Sequence, residues 1–191
     1  ESEWTSCDLS GGKLDRASFA EAKLRGLDLS GLSLQDANFF RCDLRDAQLR
    51  NADCSRADFS GANLSGANLE GATLRDALLA DCRLNRTSLR EAEMEGAEIR
   101  NSSLEGVDLS RAKGLRARFD EAALQEARME ETDLRACSFR GADLRKASLV
   151  RARLEGVDGS DADFSLAQLE GARLDRANLK GACLRRTVLT R

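Results

Sequence analysis

Cysteines and carboxylates are the side chains of this sequence that could do chemistry. Neighbouring thiols bind soft metals, and a thiolate of lowered pKa attacks electrophiles. Here Cys7, Cys42, Cys54, Cys82, Cys137 and Cys183 form no CxxC pair, and with no His in the chain nothing completes a zinc site or serves as an imidazole base. Asp161/Asp163 and Glu130/Glu131 have the pairing that general acid–base catalysis uses, yet no nucleophile or phosphate-binding loop accompanies them. Each is an ordinary member of a repeating outward column, so the reading is no catalytic residue, no metal site, no cofactor and no enzyme. The 33 acidic and 30 basic side chains leave a formal charge of −3 over 191 residues. No stretch approaches the ~18 consecutive apolar residues that span a bilayer, and Glu1-Ser2-Glu3-Trp4 lacks the basic-then-apolar order of a signal peptide.

The elements that carry these residues follow from a period of five. Stepping by five from Trp4 to Leu189 gives 38 positions, with 25 Leu, 6 Phe, 2 Met and one each of Ile, Cys and Trp; only Gly114 and Gly159 lack an apolar side chain. Two residues before each of these, 24 of the 38 positions are Ala and none is charged. A helix needs apolar spacing near 3.6 and a simple strand near two, so five means a short extended piece and a turn, repeated. Gly stands two residues after the large apolar position at 12 places, as expected where turns need positive φ. Asp or Asn immediately precedes the apolar residue 14 times, and such short side chains bond locally to turn backbone.

Phe19, Phe39, Phe59, Phe119 and Phe139 are separated by multiples of 20, with Phe164 the one core Phe outside that column. Like residues stack on like in a solenoid, so 20 residues, or four pentads, make one coil. The chain then forms about 9.5 coils, a rod of roughly 45 Å at a strand spacing of ~4.8 Å. Gly114 and Gly159 are expected to be repacked locally, Leu115 swinging inward with a bulge at the first and Phe139 filling the gap at the second. Cys42 and Cys82 share a column but lie two coils apart, about 9.6 Å, too far for a disulfide. Five of the six cysteines replace Ala or Leu on inward positions and Cys183 points outward, which fits free thiols in a reducing cytoplasm.

Ala57-Asp58-Phe59-Ser60-Gly61, Ala62-Asn63-Leu64-Ser65-Gly66 and Ala142-Asp143-Leu144-Arg145-Lys146 match the motif A(D/N)LXX. Over essentially its whole length the chain resembles the pentapeptide repeat proteins. The resemblance implies an all-β fold, a right-handed quadrilateral parallel β-helix, as one domain over residues 1–191 of a bacterial protein. It implies a non-enzymatic rod that works as a protein–protein interaction or scaffold module. It also brings an alternative, because some members protect DNA gyrase or topoisomerase IV by imitating duplex DNA.

Imitation of DNA needs a dense acidic surface, on the order of one charge per 1.7 Å. The outward charges come to +2, −2, +1 and −3 on the four faces, with none a phosphate-like stripe. Direct nucleic-acid binding is disfavoured as well: Arg25, Arg45, Arg83, Arg86, Arg185 and Arg186 share a face, but Asp43, Asp46, Glu105 and Asp163 interrupt them. The bases are expected to pair with acids of adjacent turns. The surface feature that points to a protein partner is a low-charge strip of Ala20, Phe40, Ser60, Leu78 and Ala80, all outward on the Phe19 face. The repeat runs to both termini, so the expectation is a missing flanking domain or end-to-end pairing of two molecules, or, as the milder alternative, Trp4 as a partial lid on the first turn.

Overall fold

A computed structural model describes residues 12–190; Trp4 and Cys7 lie outside the described residues. Parallel single-residue bridges run from Lys13–Ser33 through Ser18–Asn38 to Gln168–Val188, always between residues 20 apart. The pairing is that of a parallel β-helix with 20 residues to a coil. Each bridge falls on the residue just before an inward apolar one, so one pentad forms one side. The sides will be named by their inward columns: the Leu44 face (Leu24, Leu44, Leu64, Leu84) and, just before it in the chain, the Phe39 face (Phe19, Phe39, Phe59, Leu79).

The backbone bonds explain the period. In the pentad from Leu34, the Leu34 and Asp36 amides donate to Asp53 and Ser55 carbonyls of the next coil at 2.8 and 3.0 Å. Asn38 donates back to the Ala17 carbonyl at 2.9 Å, and Ala37 closes the turn onto the Leu34 carbonyl at 3.1 Å. The fifth amide, that of the residue after the inward one, has no backbone acceptor. Aspartate and asparagine supply it from two residues earlier: Asp28 Oδ1 accepts from Ser30, and Asn38 Oδ1 from Phe40, both at 2.9 Å. Twelve of the Asp/Asn residues at that place make this bond. Unpaired backbone amides are costly to enclose, which is why the repeat favours these two side chains.

Every corner from Arg16 to Arg186 has positive φ two residues after the inward side chain, at 24 non-glycine residues and 11 glycines. A turn closing over two residues with the second left-handed is of type II. The requirement is therefore universal, where the glycine count pointed only to some turns.

Inside, Phe19, Phe39 and Phe59 stack with centroids 5.0 and 4.8 Å apart and planes within 9° of parallel, and Phe119 stacks on Phe139 at 5.0 Å. Near-parallel rings at this centroid distance are offset-stacked, an arrangement the ring quadrupoles favour, and the spacing is that of the ~4.8 Å backbone ladder. Polar residues on the small inward position are buried but satisfied: Thr87 Oγ1 donates to the Leu64 carbonyl of the preceding coil at 2.8 Å and Ser102 Oγ to that of Leu79 at 2.7 Å, while Thr132 Oγ1 donates within its own coil to the Met129 carbonyl at 2.9 Å. Cys82 and Cys137 donate to the preceding coil, to Phe59 and Gly114 carbonyls at 2.9 and 2.7 Å. Burial pushes both thiols up to about 12 and Cys42 up to about 11, and raises Cys54 as well.

Two local expectations are corrected. At Gly114 there is no bulge: its amide keeps the ladder bond to Asp133 at 2.8 Å, and Leu115 stays outward. A Cβ there would meet Leu134 Cδ2 at 2.9 Å and Met94 Cε at 3.6 Å, so residues one coil away on either side have moved into the space. At Gly159 the filling comes from Leu179 Cδ2, 3.0 Å from where a Cβ would stand, and from Phe164 Cε2 at 3.3 Å, rather than from Phe139. The out-of-column Phe164 thereby has a reason: its ring reaches around the corner into room that glycine leaves.

Candidate interaction surface

Three of the four carboxylates in the pairs Asp161/Asp163 and Glu130/Glu131 are engaged in ordinary bonds. Glu130 accepts from Ser110 Oγ at 2.9 Å, Glu131 lies 3.3 Å from Arg111, and Asp163 takes the Ser165 amide at 2.8 Å. Cys183 is half-buried with its sulfur 3.1 Å from Ser165 Oγ. Among the described residues no group of three or more Cys, Asp or Glu is placed to hold a metal ion, and no helix is long and apolar enough to cross a membrane.

The low-charge strip comes together on the Phe39 face. Ala20, Phe40, Ser60 and Ala80 follow one another in successive coils, with Leu78 on the adjoining column beside Asp58. Ala20 is exposed, Leu78 is 41% exposed, and Phe40, Ser60 and Ala80 are half-buried. The Phe40 ring is not bare, since the Arg41 guanidinium sits 4.9 Å from its centroid. The strip is thus bounded at its corner by a cation that the sequence pattern did not associate with it; adjacency of Phe40 and Arg41 across a turn was the available signal.

Charges elsewhere are interleaved. Glu91, Arg111, Glu131 and Arg151 alternate along one corner, with Arg111 3.7 Å from Glu91 and Arg151 3.8 Å from Glu131. Many pairs close within a coil rather than between coils: Arg45–Asp43 at 2.6 Å, Arg135–Asp133 at 2.7 Å and Arg145–Asp143 at 2.7 Å. On the Leu44 face Arg25 is paired, 3.0 Å from Asp46, but among the described residues no carboxylate lies within ion-pair distance of Arg83 or Arg86. The expected pairing of bases with acids is therefore incomplete there.

The unbroken pentads, the coil of 20 and the outward polar columns agree with a family model described as pentapeptide repeats (8 copies), which matches residues 5–39, 37–76, 77–113, 117–156, 137–174 and 160–191. The chain belongs to the pentapeptide repeat family. Its members' fold, the right-handed quadrilateral β-helix, is accordingly the fold of this chain. Among solved structures it is similar to HetL, a pentapeptide repeat protein involved in heterocyst differentiation regulation from the cyanobacterium Nostoc sp., with 30% identity over 92% of this chain and 86% of that one and a TM-score of 0.61. It is also similar to QnrB1, a plasmid-mediated fluoroquinolone resistance protein, at 23% identity, 88% and 92% coverage and a TM-score of 0.41. A pentapeptide repeat protein of the Arabidopsis thaliana thylakoid lumen matches 53% of this chain and 63% of its own, at 28% identity and a TM-score of 0.22. No curated protein sequence matches significantly.

Proposed function

We propose that this rod is a non-enzymatic protein-interaction module whose partner sits on the Ala20, Phe40, Ser60, Leu78 and Ala80 strip. The observation that carries the reading is the run of uncharged outward residues at Phe40, Ser60, Leu78 and Ala80 on a surface whose other columns are dense in charge. Desolvating a strip of this kind on contact is favourable, whereas desolvating ion pairs is not. Inward positions are consumed by packing, which leaves recognition to the outward three-fifths of each pentad. The buried, unpaired thiols of Cys42, Cys54, Cys82 and Cys137 favour a reducing compartment, the cytoplasm. Topoisomerase protection by DNA mimicry is the less supported reading, since acids alternate with arginines along the edges instead of forming a continuous stripe.

Phe40→Asp tests the strip. A photo-crosslinker at position 60 is expected to capture a partner, or a second copy, that the Phe40→Asp protein loses while its circular dichroism stays the same. Capture undiminished by Asp at position 40 removes the strip from the interaction.

A further inference from the structure

Beside the strip, on the Leu44 face, the coil from Gly61 to Gly66 presents only Gly61, Asn63, Ser65 and Gly66 outward, so it lies lower than the coils on either side. Arg41 and Arg45 rise from the coil before it and Arg83 and Arg86 from the coil after it, and these residues line two adjoining hollows across the face. The result is a trough running along the coil, two strand spacings or about 9.6 Å wide between its flanking backbones.

The arginines around it stand apart from those of the rest of the rod. Among the described residues between Glu21 and Asp175, four arginines have no carboxylate within ion-pair distance: Arg41, Arg83, Arg86 and Arg140. Three of the four border this trough. Arg45, by contrast, is engaged by Asp43. An unpaired guanidinium can accept a new carboxylate without an internal pair first being broken. The floor and the coil after it add donors: Asn63 Oδ1 is taken by the Ser65 amide and hydroxyl at 3.1 and 2.7 Å, and, beside Arg86, Asn85 Oδ1 by Ser103 Oγ and the Glu105 amide at 2.6 and 3.0 Å. Both side-chain NH2 groups are left for an incoming backbone carbonyl.

We propose that this trough binds an extended acidic segment of a protein partner, lying along Gly61 to Gly66 with its carboxylates received by Arg41, Arg83 and Arg86. This rests on the interaction-module reading and names the chemistry of the partner. The width admits one extended chain. Asp81 and Glu105, which carry no ion pair, stand at opposite margins of the two hollows and oppose a uniformly anionic ligand such as a nucleic-acid backbone, while tolerating a peptide with spaced acids. Bases of a single strand would also need stacking platforms, and Phe40, already beneath Arg41, is the one outward aromatic among the described residues.

The test is fluorescence anisotropy on the full chain with a labelled peptide of alternating Glu and Ser, about ten residues long, so that the carboxylates share one side of an extended chain. Binding that weakens with salt is expected, and Arg83→Glu/Arg86→Glu is expected to raise Kd by about tenfold or more. Arg140→Glu/Lys180→Glu, an equal change of charge away from the trough, is expected to leave Kd within about twofold. All three proteins should share one circular dichroism spectrum, since the altered residues are exposed and unpaired. Equal losses in the two variants mean diffuse attraction and overturn the site, as does tighter binding of a single-stranded or duplex DNA oligonucleotide of the same charge. If the peptide fails while the Phe40-dependent complex forms, the trough falls and the module reading stands. Failure of both removes both.

Discussion

Gly159 and Phe164 offer the sharpest check on how the core is packed, because each explains the other. Phe164 Cε2 and Cζ stand 3.3 and 3.4 Å from where a Gly159 Cβ would be, and Leu179 Cδ2 stands at 3.0 Å. Gly159 has no positive φ, so a side chain there meets crowding but no backbone strain. Gly159→Ala alone is expected to cost about 1 kcal/mol, overpacking partly offset by the lower entropy of the unfolded chain. Phe164→Leu removes the ring atoms that fill the space, and loses roughly 1–2 kcal/mol from transfer and cavity together. In the double variant the new methyl occupies what the ring vacated. The combined loss should therefore fall short of the sum of the two by about 1 kcal/mol. At this chain length that is a difference of roughly 2–4 °C in Tm. The cycle is read from urea and thermal unfolding followed by circular dichroism, with equal m-values required of all four proteins because solenoids can lose cooperativity. Additivity within about 0.5 kcal/mol would show that the ring does not fill the glycine space, and the account of both residues would fail.

Leu166 is left-handed, with φ 64°, and 44% exposed, so Leu166→Gly relieves a strain of roughly 1 kcal/mol and removes exposed apolar surface. Thermal melts should show a Tm raised by a few degrees, and a lowered Tm contradicts the claim that every corner demands positive φ. Acid provides a second check, because the Ser30 and Ser160 hydroxyls, with the amides of the same residues, hold the Asp28 and Asp158 carboxyls below their ordinary values and the Arg45 contact does so for Asp43. A depressed folded pKa means that the unfolded chain binds protons first on acidification. Stability from these groups is thus present above about pH 4 and drains away as pH falls from there toward the folded values. Replacing all three by Asn keeps the oxygen acceptor, as Asn38 and Asn63 demonstrate, but removes the titration. A flatter acid limb is expected for that variant, and an unchanged acid midpoint would show that these carboxyls are not linked to folding.

The fold was legible because the inward columns repeat without slipping: Leu24 through Leu169 are buried where the period of five puts them, and the 20-residue offset is that of the phenylalanines. The turn chemistry was partly legible. Asp and Asn announced their bond to the orphan amide, whereas Arg56, Glu91 and Leu166 gave no sign of their left-handed backbone, since in a solenoid the ladder to neighbouring coils imposes a conformation that local preference opposes. The repacking at Gly114 and Gly159 was misread because it depends on which neighbour has a flexible or oversized side chain, a property of three-dimensional adjacency. The strip was visible as a pattern of uncharged residues. The trough was not, because charge counts by face treat Arg45 and Arg83 alike, and only the pairing geometry separates a neutralised arginine from a free one.

The corner position links these observations. A side chain there leans toward the next coil, and where that coil has glycine at its own corner the side chain occupies the place of the missing Cβ: Asp46 at Gly66, Asn51 at Gly71, Asp76 at Gly96 and Arg41 at Gly61. Glycine at a corner therefore does two things, relieving the left-handed strain of its own residue and giving the neighbour somewhere to lie. The two effects favour alternation of bulky and bare corners, with low places left between charged ones. Gly61 and Gly66 are both bare corners of one coil, which is why the surface dips there between the arginines of its two neighbours. An arginine at position 66 would restore the height of the coil at the expense of strain and of the Asp46 seat, so the low floor is a consequence of turn geometry before it is anything a partner could recognise.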